Sequence, residues 1–132
     1  MTGTPERFGC AACYGDDEHA TWQHFRNNCP RDRNLVEDSH FIVGLLHCGQ
    51  CDQRFVSVFT EFIDWTAGED PQYTTIMPLT ESEATALLDG SLQVHAIGDL
   101  GANRQHLHHD WPSGTPPQLS WGRGRFPIVE GR

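Results

Sequence analysis

The chain has 132 residues, enough for one modest domain, and nine basic against 18 acidic side chains give a formal net charge of −9. All nine basic residues are Arg, so phosphate-loop or Schiff-base chemistry that needs Lys is excluded, and the acidity disfavours nucleic-acid backbones as partners. With 37% hydrophobic residues, four Trp and seven Phe the chain has the material for a core, which argues against wholesale disorder.

The opening MTGTPERFGC lacks a basic segment followed by an apolar run, and no stretch approaches the length of a membrane span, so a cytoplasmic protein is expected. Arg used to the exclusion of Lys points to a GC-rich, most simply bacterial, gene. The charge is uneven. Residues 1–97 hold 15 acids and five Arg, whereas 98–132 hold three acids and four Arg. A division into a body over 1–97 and a Gly/Pro/aromatic-rich segment over 98–132 is therefore expected.

In chain order the first feature is the pair Cys10 and Cys13. Cys29 follows in the polar loop NNCPRDRN and reads as a free or half-buried thiol. Residues 41–46 and 55–60 are β-branched and aromatic, and predict two antiparallel strands with the pair Cys48 and Cys51 at the tip between them. Tyr73 to Met77 predicts a further strand, ended by Pro78. Thr80-Glu81-Ser82-Glu83 matches a capping box, predicting a helix over 81–89 with Ala84, Leu87 and Leu88 on its buried face and Gly90 as C-terminal cap. Leu92, Val94 and Ala96 alternate with polar residues, as in one more strand. From Gly98 the recurrence of Gly and Pro predicts irregular chain, while Trp111, Trp121, Phe126 and Ile128 require that it pack on the body or on a partner. The expected fold class is thus α+β, mainly β, with antiparallel strands, one short helix and an irregular C-terminal segment.

The two C-x-x-C pairs are separated by 34 residues. Cysteines at i and i+3 in a tight turn place both sulfurs on one cation, and two such turns supply the four sulfurs of a closed structural zinc site. Gly15 and Asp52 stand after the two turns, where a left-handed backbone is expected. Cys10, Cys13, Cys48 and Cys51 are accordingly the expected ligands of one structural zinc. His47 is left out, because it could replace a sulfur only by distorting the turn. A thioredoxin-like redox pair would need a strand leading into a helix, and the second pair leads into a strand.

The segments FGCAACYG and LLHCGQCDQRFVSVF, with an aromatic residue four positions after the last cysteine, resemble a zinc ribbon over residues 8–62. Zinc ribbons serve in transcription factors, ribosomal proteins, enzymes and adaptors, so the resemblance implies a metal-nucleated fold and leaves the activity open. The site would hold an N-terminal strand layer to the central hairpin, with folding coupled to metal.

A second cluster, His106, His108, His109 and Asp110, has the H-x-H-x-D form that opens the metallo-β-lactamase metal motif, and HHDWPSG resembles the histidine segment of HNH-type nucleases. Catalysis there is weighed against histidines that pack the tail. Glu61 with Asp64, and Glu81 with Glu83, are assigned no chemistry, since such residues are more often solvated or favour a helix dipole. The reading that results is a non-catalytic zinc-binding interaction module, an adaptor, complex subunit or acidic inhibitor with a basic protein as partner. The alternatives are a metal-dependent HNH-like nuclease, a zinc-ribbon nucleic-acid or transcription factor, and a rubredoxin-like electron carrier.

Overall fold

The computed structural model describes residues 8–63, 70–112 and 114–130. Strands β1 (Arg31–Asp38), β2 (Phe41–His47), β3 (Arg54–Glu61), β4 (Gln72–Leu79), β5 (Gln105–Trp111) and β6 (Gln118–Arg123) form one sheet in sequence order. Every neighbouring pair is antiparallel. Helices α1 (Ala11–Tyr14) and α2 (Glu18–Asn28) precede the sheet, while α3 (Glu81–Asp89) and α4 (Ile97–Leu100) lie between β4 and β5. The fold is mainly β with short helices.

The expected central hairpin is present, with Phe41 opposite Thr60 and His47 opposite Arg54. Its strands bury residues on both faces, which is why they read as near-continuous apolar runs. On one face Phe41, Val43 and Leu45 of β2, Val56 and Val58 of β3 and Met77 and Leu79 of β4 meet Ala84 and Leu87 of α3 and Ile97 of α4. On the other, Leu46, Phe55, Ile76 and Leu107 meet Phe25 of α2 and the thiols Cys13, Cys29 and Cys48. Strand β1 closes one edge with a polar, exposed sequence and two register irregularities, both of which discourage pairing with another chain.

The capping box at Thr80 is present in both halves: Thr80 Oγ1 accepts from the Glu83 amide at 3.1 Å, and Glu83 Oε1 accepts from the Thr80 amide at 2.8 Å. Gly90 ends the helix at φ +85°, as expected. Glu83 also takes two hydrogen bonds from the buried Arg104, at 2.6 and 3.0 Å. Burial works against the Glu83 charge, but the Arg104 bonds outweigh it and hold the carboxyl below its ordinary range.

Five expectations need correction. Leu88 is not on the buried face of α3 with Ala84 and Leu87 but is exposed. Pro78 does not end its strand: the ladder between β4 and β5 stops at Ile76, so Pro78 has no strand on that side to receive an N–H, and its carbonyl accepts from Arg104. Leu92 to Ala96 is not a strand, because Val94–Ala96 forms a 3₁₀ turn running into α4. The N-terminal layer is helical, with α2 capped by Asp17, whose carboxylate accepts from His19 and Ala20 amides. The segment after Gly98 is not irregular throughout, since it supplies β5 and β6.

Beyond β6 the chain crosses the α3 face. Phe126 and Ile128 pack against its core, the Phe126 amide donates to Gly98 O, and Thr60 Oγ1 donates to Val129 O at 2.8 Å. A Cβ on Gly98 would stand 1.7 Å from the Phe126 carbonyl oxygen, so only glycine admits this crossing. Gly98→Ala should therefore destabilise the fold by about 1–3 kcal/mol through overpacking. Gly90→Ala, with nothing within 4 Å of the new methyl, should cost only the left-handed backbone, about 1 kcal/mol. Thermal unfolding of the two variants checks the order; a Gly98→Ala protein as stable as wild type would contradict the crossing.

Candidate metal centre

Both C-x-x-C segments form tight turns. Cys10 is the residue before α1, and the Cys13 amide donates to its carbonyl at 2.8 Å. In the second, the Asp52 amide donates to Cys48 O at 2.9 Å, the Cys48 amide to Gln53 O at 2.9 Å, and the Gln50 amide points at Cys48 Sγ at 3.4 Å. Asp52 has the expected left-handed backbone, at φ 63°. Gly15 does not, at φ −63°; the glycine that the first turn requires is Gly9, at φ +83°, whose Cβ would meet Cys13 Sγ at 2.8 Å.

The turns converge. Cys10 Sγ lies 3.8 Å from Cys13 Sγ, which in turn lies 3.9 Å from Cys51 Sγ. His24 of α2 enters the same space, its Nε2 3.3 Å from Cys48 Sγ and 3.9 Å from Cys13 Sγ. Donor atoms of Cys10, Cys13, His24 and Cys48 all lie within 4.8 Å of one another, the one such group among the described residues. Sulfurs held by one tetrahedral ion with bonds of about 2.3 Å stand about 3.8 Å apart, so these residues fit a single metal ion, and zinc is consistent with them. Asn28 sits 3.4 Å from His24 Nδ1, placed to orient the ring.

His24 was not expected. It lies in EHATWQHFRNN, a polar stretch without helical apolar patterning, and its only sequence signal is a position one turn before Asn28 and three residues after Thr21. Five donors thus surround four tetrahedral places, with Cys10, Cys13 and Cys48 accompanied by buried His24 on one side and exposed Cys51 on the other.

The electrostatics follow from burial. Desolvation, then the neighbouring Cys48, raises the Cys13 thiol far above its ordinary value. Cys29, buried behind Cys48, is pushed up to about 12 by the same two causes. At Cys51 burial opposes ionisation, but the backbone amides of Gln53 and Cys10 outweigh it and lower the thiol. Burial also lowers His24, leaving a neutral imidazole able to act as a ligand. Buried thiols held in the protonated form give up their protons when a divalent cation takes the protons' place, so the cluster's affinity for metal is pH-dependent.

The histidine cluster is divided by strand alternation. His106 and His108 point to the α3 face, whereas His109 points to the α2 face and stacks on Trp22 at 4.3 Å. His106 Nε2 lies 2.9 Å from Gly124 O, His106 Nδ1 lies 2.6 Å from His108 Nε2, and His108 Nδ1 lies 3.0 Å from Thr75 Oγ1. Since Gly124 O can only accept, the protons order themselves in one direction: His106 Nε2–H donates to Gly124, His108 Nε2–H to His106, and Thr75 to His108. A Cβ on Gly122 would lie 2.8 Å from His108 Nε2, so β6 must carry glycine there. His47 bonds Asp32 at 2.7 Å, and Glu61 bonds His40 at 3.2 Å. Glu81 pairs with Arg54, and Asp64 lies outside the described residues.

No family model matches the chain, and no curated protein or solved structure matches it either.

Two outcomes follow from this geometry. On cobalt(II) reconstitution, His24→Ala and Cys51→Ser should differ: the variant that removes the fourth ligand changes the visible d–d bands and lowers metal affinity, and the other leaves both near wild type. The second outcome concerns acid. Burial lowers His106, His108 and His109 from 6.5, so the unfolded chain takes up protons first as the pH falls. Stability should be full above about pH 7 and decline below 6.5, and the His106 and His108 ring resonances should titrate below 6.5. Ordinary titration of both rings would contradict the buried relay.

Proposed function

We propose that this protein is a non-catalytic zinc-binding interaction module in which one structural Zn²⁺ joins α1 and α2 to the β2–β3 turn, as in a zinc ribbon. The observation that carries this reading is the closed donor set: three of its members, Cys13, His24 and Cys48, are buried, and thiols plus imidazole fill every tetrahedral place without leaving one for a substrate. When bound, the ion supplies cross-linking of the chain and no reaction step.

The acidic character of the chain favours a basic protein as partner and disfavours nucleic acid. The main competing reading, a metal-dependent nuclease on the histidine cluster, would need ring nitrogens free for an ion. Those of His106 and His108 are taken up by each other, by Gly124 and by Thr75. This supports the non-catalytic reading.

Elemental mass spectrometry on protein purified without added metal should find one zinc per chain in wild type and in His108→Ala. Cys48→Ser should lose the metal and unfold by circular dichroism. A second metal that vanishes in His108→Ala, together with divalent-metal-dependent cleavage of DNA, would overturn the proposal in favour of the nuclease.

A further inference from the structure

Helix α2 covers only part of its face of the sheet, and the remainder is a cleft of about 570 Å³, inside the range of small-molecule sites. Ser57 and Phe59 of β3 with Thr74 and Ile76 of β4 form its floor. On one side Arg31 reaches over Gly44 of β2, where a Cβ would collide with the guanidinium. On the other, Trp22 of α2 stacks on His109 of β5, and Arg26 lies 5.9 Å over the Trp22 ring.

The chemistry of this lining is one-sided. Arg26, Arg31 and His109 belong to it and no Asp or Glu does, in a chain with twice as many acids as Arg. Neither guanidinium makes an ion pair among the described residues; Arg31 donates instead to Asn34 Oδ1 at 2.8 Å. Ser57 lies in this lining and makes no side-chain hydrogen bond among the described residues, and its hydroxyl is not among the sealed polar atoms, so it is open to the cleft. Two cations without an ion-pair partner and an open hydroxyl beside Phe59, Ile76 and Trp22 match an acceptor with a hydrophobic body.

We propose that the cleft binds a small organic carboxylate with a flat apolar body. The carboxylate takes charge-assisted hydrogen bonds from Arg26 and Arg31 and a bond from Ser57, and the apolar body lies on Phe59 against Trp22. A planar guanidinium is matched to a planar acid group, and an aromatic wall to a flat body. The inference uses neither the metal nor the interaction-module reading, and either can fail without touching it.

The probe is 2-naphthoate, with uncharged 2-naphthamide of the same shape as its control, titrated into wild-type protein as purified by calorimetry and followed by Trp fluorescence. One naphthoate per chain, bound about tenfold or more tighter than the amide, is the expected result. Arg26→Met should weaken naphthoate about tenfold and abolish the preference over the amide, and the exposed position of Arg26 makes unfolding an improbable cause. Arg31→Met should do the same, with thermal unfolding checked because the side chain packs on Gly44. Leu88→Ser, at an exposed apolar residue of α3, should change nothing. Equal affinity for acid and amide, no binding of either, or unchanged binding in a folded Arg26→Met protein would overturn the proposal. So would displacement of naphthoate by equimolar inorganic phosphate, which would mark the site as one for a bare anion.

Discussion

The central hairpin, β2 with β3, is buried on both faces, and that constraint organises the rest of the molecule. A sheet with one wet face needs a single covering layer, but these strands need two. The chain supplies one layer after β4, from α3, α4 and the final crossing through Phe126 and Ile128, and the other before β1, from α1 and α2. The two layers differ in quality. The α3 side is an apolar core of ordinary residues, whereas the α2 side is finished with thiols and an imidazole, because α1 has only four residues and α2 is polar.

A layer of that kind is weak without a further tie. Isolated helices as short as α2 are marginal in water, and buried thiols and imidazole add little attraction of their own. Their donors meet at one point, where a metal ion would convert a soft corner into a cross-link between residues 10–13, residue 24 and residues 48–51. The same corner is braced by the Gly49 amide, which donates to Asn28 O at 2.8 Å where α2 ends. The turn that carries Cys48 is therefore joined to α2 by backbone as well as by side chains.

Much of this was legible in the sequence wherever a local signal and the tertiary role agreed. The hairpin, the capped helix at Thr80 and the convergence of the cysteine turns came from short-range patterns that burial reinforced. Strand β1 was hidden because an exposed edge selects polar residues, so RDRNLVED carries no alternation to read. Strands β5 and β6 were hidden by the Gly and Pro around them, although Gly122 is required by its histidine neighbours and not by a turn. Pro78 misled because its effect depends on how far the β5 ladder extends, which is a property of the partner strand. His24 had no motif to announce it: its role exists only once α2 has formed and docked.

Helix α2 presents two working faces within eleven residues. His24 and Asn28 turn towards the cysteine turns, while Trp22 and Arg26, one helical turn apart, turn towards the open half of the sheet. Whatever fixes the helix from one side lowers the entropy left to be lost on the other, and such linkage is reciprocal by thermodynamic necessity. An ion at the cysteine corner and a ligand in the cleft would thus be linked through the ordering of a single helix, with no hinge or moving domain to carry the message.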